Sequence, residues 1–114
     1  MGDFGALVSI KRVDGKDLST EEVNTLKDIA STLSEELELV GSMGKTYSYQ
    51  TGTTKTSQGA VRAVNILLSD YHGDDQDFDW HKPVEKKNVQ VVARAVAAQL
   101  TADTYKVSGS FEWW

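Results

Sequence analysis

Three agreeing signals mark the start of a helix between Leu18 and Val23. Ser19 and Glu22 fit a capping box, in which each side chain accepts a hydrogen bond from the other residue's backbone amide. Leu18 and Val23 occupy the two positions of a hydrophobic staple. Apolar residues then recur every three or four positions, at Val23, Leu26, Ile29, Ala30, Leu33 and Leu37. The pattern predicts an amphipathic helix over residues 20–38.

Alternation of apolar and polar residues predicts strands on either side of this helix. Residues 4–13 place Phe4, Ala6, Val8 and Ile10 on one face, and a turn at Asp14-Gly15 ends the strand. Residues 47–51 and 105–113 alternate in the same way and predict a second and a last strand. Between them, residues 52–59 lack a hydrophobic side chain and predict a loop.

Residues 60–71 fit two structures. Val61, Val64, Leu67 and Leu68 are spaced for a helix, whereas the short β-branched run at Val64-Asn65-Ile66 favours a buried strand. We expect the strand; a helix here would leave a three-stranded sheet. A second helix is predicted to begin at Pro83, because proline suits the first helical turn.

The resulting order is β-α-β-β-α-β over a single domain of 1–114. That order predicts an α+β fold of the ferredoxin-like type. In such a sandwich, two helices cover one face of a four-stranded antiparallel sheet and leave the other face open.

The charge distribution restricts the classes of partner. The chain has 17 acidic and 12 basic side chains, and five of the acids lie between residues 70 and 79 without an intervening lysine or arginine. Nucleic acids and anionic membranes both require a basic surface, so neither is an expected partner. The absence of cysteine excludes disulfides and thiolate metal sites. No apolar run has the length of a membrane span, and we expect a cytoplasmic location.

Residues 73–82 read as a polar acidic loop, whose carboxylates suggest a cation site. The segment that starts at Asp75 does not match the calcium-binding loop of an EF-hand, because Trp80 occupies the position that requires glycine and Lys86 the position that requires glutamate. We therefore predict neither a metal site nor a cofactor.

Catalysis has little support in the sequence. The chain contains no nucleophile elbow, no phosphate-binding glycine loop and no zinc-binding helix motif. Asp70 and His72 are the candidate acid–base pair of a minor enzyme, which is one alternative function.

The leading hypothesis is a small protein-binding module that captures a basic partner, as inhibitor and immunity-type proteins do. Acidic side chains and exposed tryptophans would form its surface. The predicted partner-binding residues are Asp70, Asp74, Asp75, Asp77, Asp79, Trp80 and Trp114. Another alternative is a regulatory domain that binds a small molecule or a metal and forms a homodimer through the open sheet face.

Overall fold

The computed structural model describes residues 2–41, 46–47, 50–55 and 62–113. Its elements are β1 (Gly2–Arg12), α1 (Thr20–Glu36), β2 (Leu39–Val40), β3 (Thr46–Tyr47), β4 (Gln50–Lys55), β5 (Arg62–Leu67), β6 (Tyr71–Gly73), α2 (Asp75–Ala97) and β7 (Tyr105–Trp113). One antiparallel sheet has the order β4-β5-β1-β6, with β7 also paired to β1. The short strands β2 and β3 form a separate pair. The chain is therefore an α+β protein with two helices.

The first strand organises the sheet. Along β1 the even-numbered residues Phe4, Ala6, Val8 and Ile10 are completely buried, as the alternation predicted. The strand pairs with β7 from Phe4 opposite Trp113 to Arg12 opposite Tyr105. It also pairs with β5 and β6, so that β1 lies inside the sheet and its alternation defines the core face.

A one-residue shift in register separates β5 from β6. Leu7 lies opposite Leu67, but Phe4 lies opposite Tyr71. The segment from Leu67 to Tyr71, which joins β5 to β6, therefore has one residue more than the segment of β1 that it faces. The Leu68 amide donates to the Ala6 carbonyl at 2.9 Å, and the Ala6 amide donates to the Ser69 hydroxyl at 3.0 Å. A buried serine thus takes the place of a backbone acceptor at the irregularity.

The first helix confirms its prediction closely. Ser19 is the N-cap, and both hydrogen bonds of the capping box with Glu22 are formed. Val23, Leu26, Ala30 and Leu33 are buried, as their spacing predicted. The helix ends at Glu36, two residues before the predicted end.

The second helix corrects two predictions. Residues 73–82 are not a loop, because α2 begins at Asp75, and Pro83 lies inside the helix and not in its first turn. Asp74 is the N-cap, so the aspartates that suggested a loop are the residues that start the helix. Proline lacks the amide that would donate to the Asp79 carbonyl. The helix nevertheless continues through Pro83, and residues on both sides of it pack into the core.

The strand assignments in the middle of the chain are partly wrong. Residues 50–55 form β4, although residues 52–59 are predicted to be a loop, and residues 46–47, at the beginning of the predicted second strand, form β3. β4 pairs with β5 from Gln50 opposite Leu67 to Lys55 opposite Arg62. Threonine favours strands, and a strand at the end of a sheet needs few apolar residues. Tyr49 and residues 56–59 lie outside the described residues. The preferred strand for the ambiguous segment is confirmed as β5 over Arg62–Leu67.

The core is one cluster that joins both helices to the even-numbered face of β1. The second helix approaches β7 closely at Gly109. A Cβ atom at this position would overlap the Val89 side chain, so the approach requires a glycine. The α+β class, the two helices and the antiparallel sheet are confirmed. The finer assignment to a ferredoxin-like sandwich stays a prediction.

Candidate functional site

An aromatic cluster surrounds Phe4 at one end of the sheet. Its other members are Tyr71, Phe78, His81, Phe111 and Trp113. The Phe4 ring centroid lies 5.4 Å from that of Tyr71 in a stacked arrangement and 4.8 Å from that of Trp113 in an edge arrangement. Phe78 stacks on Phe111 at 4.8 Å and on Trp113 at 5.1 Å. Rings from three strands and from α2 therefore fix the start of the helix to the sheet.

Residues 74–80, called here the acidic helix start, are held by a second capping box. The Asp74 carboxylate accepts hydrogen bonds from the Gln76 amide at 3.0 Å and from the Asp77 amide at 3.2 Å. The Asp77 carboxylate accepts in return from the Asp74 amide at 3.2 Å. Asp74 and Asp77 therefore have a structural role, because they satisfy amides that the first turn leaves free.

Trp80 projects from the acidic helix start. Its side chain is 59% exposed, more than any other large hydrophobic residue among those the structure describes. Its neighbours in the chain are anchored, since Phe78 belongs to the aromatic cluster and His81 is buried. Asp75 and Asp79, which precede it in the helix, are exposed as well. The helix thus presents one large aromatic side chain to solvent among carboxylates.

Two polar side chains are buried beneath this surface. The His81 ring is 5% exposed and stacks on Tyr71, with 3.9 Å between ring centroids. Glu85, one turn later, is completely buried, and its Oε1 accepts from Asn88 Nδ2 at 3.1 Å. Glu85 Oε2 has no hydrogen-bond partner in the part of the chain that the structure describes. The sequence did not predict that these two side chains are buried, because spacing alone does not distinguish a buried polar residue from an exposed one.

His72, which forms the candidate acid–base pair with Asp70, contacts another carboxylate in the structure. His72 Nδ1 forms a hydrogen bond with the Asp3 carboxylate, because the two residues lie opposite each other in the pairing of β6 with β1. Asp70 is exposed in the connection before β6. The imidazole is exposed as well, so the pair lies on the surface.

A charged network that the sequence did not predict lies at the other end of β1. Arg12 binds the carboxylates of Asp14 at 2.8 Å and Glu22 at 2.9 Å, and the Tyr105 hydroxyl donates to Glu22 at 2.5 Å. The hydrogen bonds from Tyr105 and from the Ser19 amide lower the pKa of Glu22 to about 2. The same bond to Glu22 raises the pKa of Tyr105, and the bond from Arg12 lowers the pKa of Asp14 to about 2.

The role of this network is structural. Arg12 lies opposite Tyr105 in the β1–β7 register, and Glu22 belongs to the capping box of α1. The network therefore joins the end of the sheet to the start of the first helix.

The open face of the sheet carries the odd-numbered residues of β1. Leu7 and Leu67, which lie opposite each other, are half-buried. Ser9 donates to Asn65 at 2.6 Å, and Ser108 is exposed opposite Ser9. This face combines two leucines with a polar centre; its use for a homodimer stays a prediction.

Trp114 lies outside the described residues. Among the residues that are described, no three histidine, aspartate or glutamate side chains come close enough together to hold a metal ion. Neither helix of the described chain is long and apolar enough to cross a membrane.

Comparison of the chain with known protein families, with curated proteins and with solved structures gives no match.

Proposed function

We propose that this chain is a small protein-binding module that captures a basic partner through the acidic helix start. The observation that carries the proposal is the position of Trp80, which is 59% exposed between two neighbours that pack against the sheet. Tryptophan is enriched among the residues that contribute most to protein–protein affinity.

The charge around Trp80 supports a basic partner. Asp74, Asp75, Asp77 and Asp79 precede it, and Lys82 is the first basic residue of α2. A surface of one charge sign accelerates the encounter with a partner of the opposite sign. Capture of a basic toxin or nuclease by an inhibitor or immunity-type protein is the most concrete form of this function.

The anchoring of the helix supports binding at a low entropic cost. Phe78 stacks on Phe111, and His81 stacks on Tyr71, so the backbone on both sides of Trp80 is fixed before a partner arrives. A docking residue on a rigid element loses less conformational freedom on binding than one on a loop.

The proposal includes two finer expectations from the sequence. The alternating order of strands and helices supports a ferredoxin-like sandwich. The absence of cysteine is compatible with a cytoplasmic location.

The partner is to be identified by photocrosslinking in a lysate of the source cells. A photoreactive phenylalanine replaces Trp80, and in a control protein it replaces Gln90, which is exposed further along the same helix. We expect a basic protein to crosslink at position 80 and not at position 90. An acidic partner, or equal crosslinking at both positions, would contradict the proposal.

Binding kinetics with the identified partner then separate charge from the aromatic contact. The triple variant Asp75→Asn, Asp77→Asn and Asp79→Asn keeps the N-cap Asp74. We expect it to associate several-fold more slowly at low salt, with a difference that shrinks as salt is added. Trp80→Ala should dissociate faster, at a cost of about 1–2 kcal/mol or more.

A matched control removes three exposed acids from the first helix, through Asp28→Asn, Glu35→Gln and Glu36→Gln. This variant has the same net charge as the triple variant of the acidic helix start. If both variants slow association equally, overall charge and not this surface attracts the partner, and the proposal fails.

A further inference from the structure

The second helix has a stripe of side chains on its solvent side. Its members follow the heptad spacing of three and four residues, at Asp77, Trp80, Val84, Lys87, Val91 and Arg94. Trp80 is 59% exposed and Val91 is 46% exposed, and Val84 between them is half-buried. These three apolar residues lie away from the buried side of the helix, which packs on the sheet through Val89, Val92 and Val96. The helix is therefore apolar on two sides, and only one of them is covered by the described fold.

The charges of α2 are separated along its length. The acidic helix start carries four aspartates, whereas the later turns carry Lys82, Lys86, Lys87 and Arg94. Glu85, the acid among these bases, is completely buried and does not contribute to the exposed side. Two parallel copies of this helix would place acids beside acids and bases beside bases. Two antiparallel copies can instead place the acidic turns of one beside Arg94, in the later turns of the other.

One antiparallel register matches the stripe to itself. When the twofold axis passes between residues 85 and 86, Trp80 lies opposite Val91 of the second copy, and Asp77 lies opposite Arg94 of the second copy. Val84 then packs along the aliphatic part of Lys87 of the second copy. Each contact occurs twice, as it must in a symmetric dimer. Val84 and the aliphatic part of Lys87 meet near the centre, Trp80 meets Val91 on either side of them, and opposite charges meet at both ends.

We propose that α2 of this chain pairs in antiparallel fashion with α2 of a second copy, through the stripe from Asp77 to Arg94. The inference rests on the proposed function, because Trp80 is the docking residue in both, and it names the part of the same helix that holds Val91 and Arg94, in a second copy, as a partner. It concerns a surface other than the open sheet face.

Sedimentation velocity of the purified protein, from about 1 to 500 µM and at low and high salt, is the first test. We expect the monomer to convert to a dimer within this range, at lower concentration in low salt. A chain that stays monomeric throughout overturns the homodimer. The capture of a basic partner is measured in a separate experiment, so the proposed function can survive that result.

Charge exchange tests the register. Arg94→Glu places a glutamate opposite each Asp77, and Asp77→Lys places a lysine opposite each Arg94, so we expect each variant alone to dimerise at least about tenfold more weakly than wild type. In a mixture of the two variants each chain supplies the charge that the other lacks, and a mixed dimer should form with restored affinity. Failure of the mixture to recover, while both variants remain folded, contradicts the antiparallel register.

Two controls keep the result interpretable. Lys86→Glu makes the same charge change as Arg94→Glu on a side of α2 outside the stripe, and it should leave the dimer intact. Asp77→Lys removes one bond of the capping box, so circular dichroism must show that its helix content is unchanged. If it is changed, Trp80→Ala and Val91→Ala replace it, and dimerisation equal to wild type in both overturns the proposal.

Discussion

Replacement of Glu85 by methionine should stabilise the protein. Glu85 is completely buried, and its Oε2 has no hydrogen-bond partner among the described residues. A buried polar atom without a partner costs about 1–3 kcal/mol. Methionine has similar length and removes that penalty, but it also removes the 3.1 Å bond from Asn88 Nδ2 to Glu85 Oε1, worth about 0.5–1.5 kcal/mol. The Asn88 amide still donates to the Val40 carbonyl at 3.3 Å.

The net expectation is a gain of about 1 kcal/mol in the free energy of unfolding, or a few degrees in Tm for a domain of this size. Urea titration followed by tryptophan fluorescence measures it, and an unchanged m-value shows that the unfolding reaction is the same. Glu35→Met, at an exposed position of α1, is the control and should have little effect. A loss of stability in Glu85→Met would refute the reasoning, because it would mean that the carboxylate makes a favourable interaction in the fold.

Four further predictions concern packing, the acid and alkaline limbs of the pH dependence, and helix capping. Gly109→Ala should destabilise the protein by about 1–3 kcal/mol, because its Cβ would overlap Val89, and Val89→Ala in the same chain should recover part of the loss in thermal melts. The pKa of Glu22 is lowered to about 2 in the folded chain, so the ionised carboxylate stabilises the fold fully above its ordinary pKa of about 4.5, and this stabilisation is lost as the pH falls toward 2. In Glu22→Gln the free energy of unfolding should therefore fall less steeply between pH 4.5 and pH 2 than in wild type. The pKa of Tyr105 is raised, so its protonated hydroxyl stabilises the fold below about pH 10, and this stabilisation is lost at higher pH. If the free energy of unfolding of Tyr105→Phe falls above pH 10 as steeply as that of wild type, this reasoning is contradicted. Asp74→Ala should cost about 0.5–2 kcal/mol in urea titrations, whereas Asp74→Asn should cost much less, since asparagine caps a helix as well as aspartate does.

The parts of the fold that local chemistry determines could be predicted from the sequence. The capping box of Ser19 and Glu22 has the usual serine and glutamate pair, and α1 begins where that pair predicts. The capping box of α2 uses two aspartates, Asp74 and Asp77, and a density of aspartate is equally typical of a loop. The start of the second helix was misplaced for this reason.

Other features depend on contacts between distant segments. The register shift at Ser69 exists because β6 pairs with the beginning of β1, and no local pattern marks it. The network of Arg12, Glu22 and Tyr105 forms because the β1–β7 register brings together residues that are far apart in the chain. In the candidate site, composition identified the acids and Trp80. The structural role of the capping aspartates required the helix to be known.

The pairing of β1 with β7 has a consequence for synthesis of the protein. Phe4 lies opposite Trp113, so β1 completes its hydrogen bonds only after β7, which lies far along the chain, has been synthesised. Until then the apolar face of β1 lacks its neighbour on one side, in a chain whose central contacts join distant residues. Such topologies fold slowly, because a long loop must close before the contacts form. Nascent chains of this protein should therefore expose an aggregation-prone strand, and should bind chaperones, until β7 has left the ribosome.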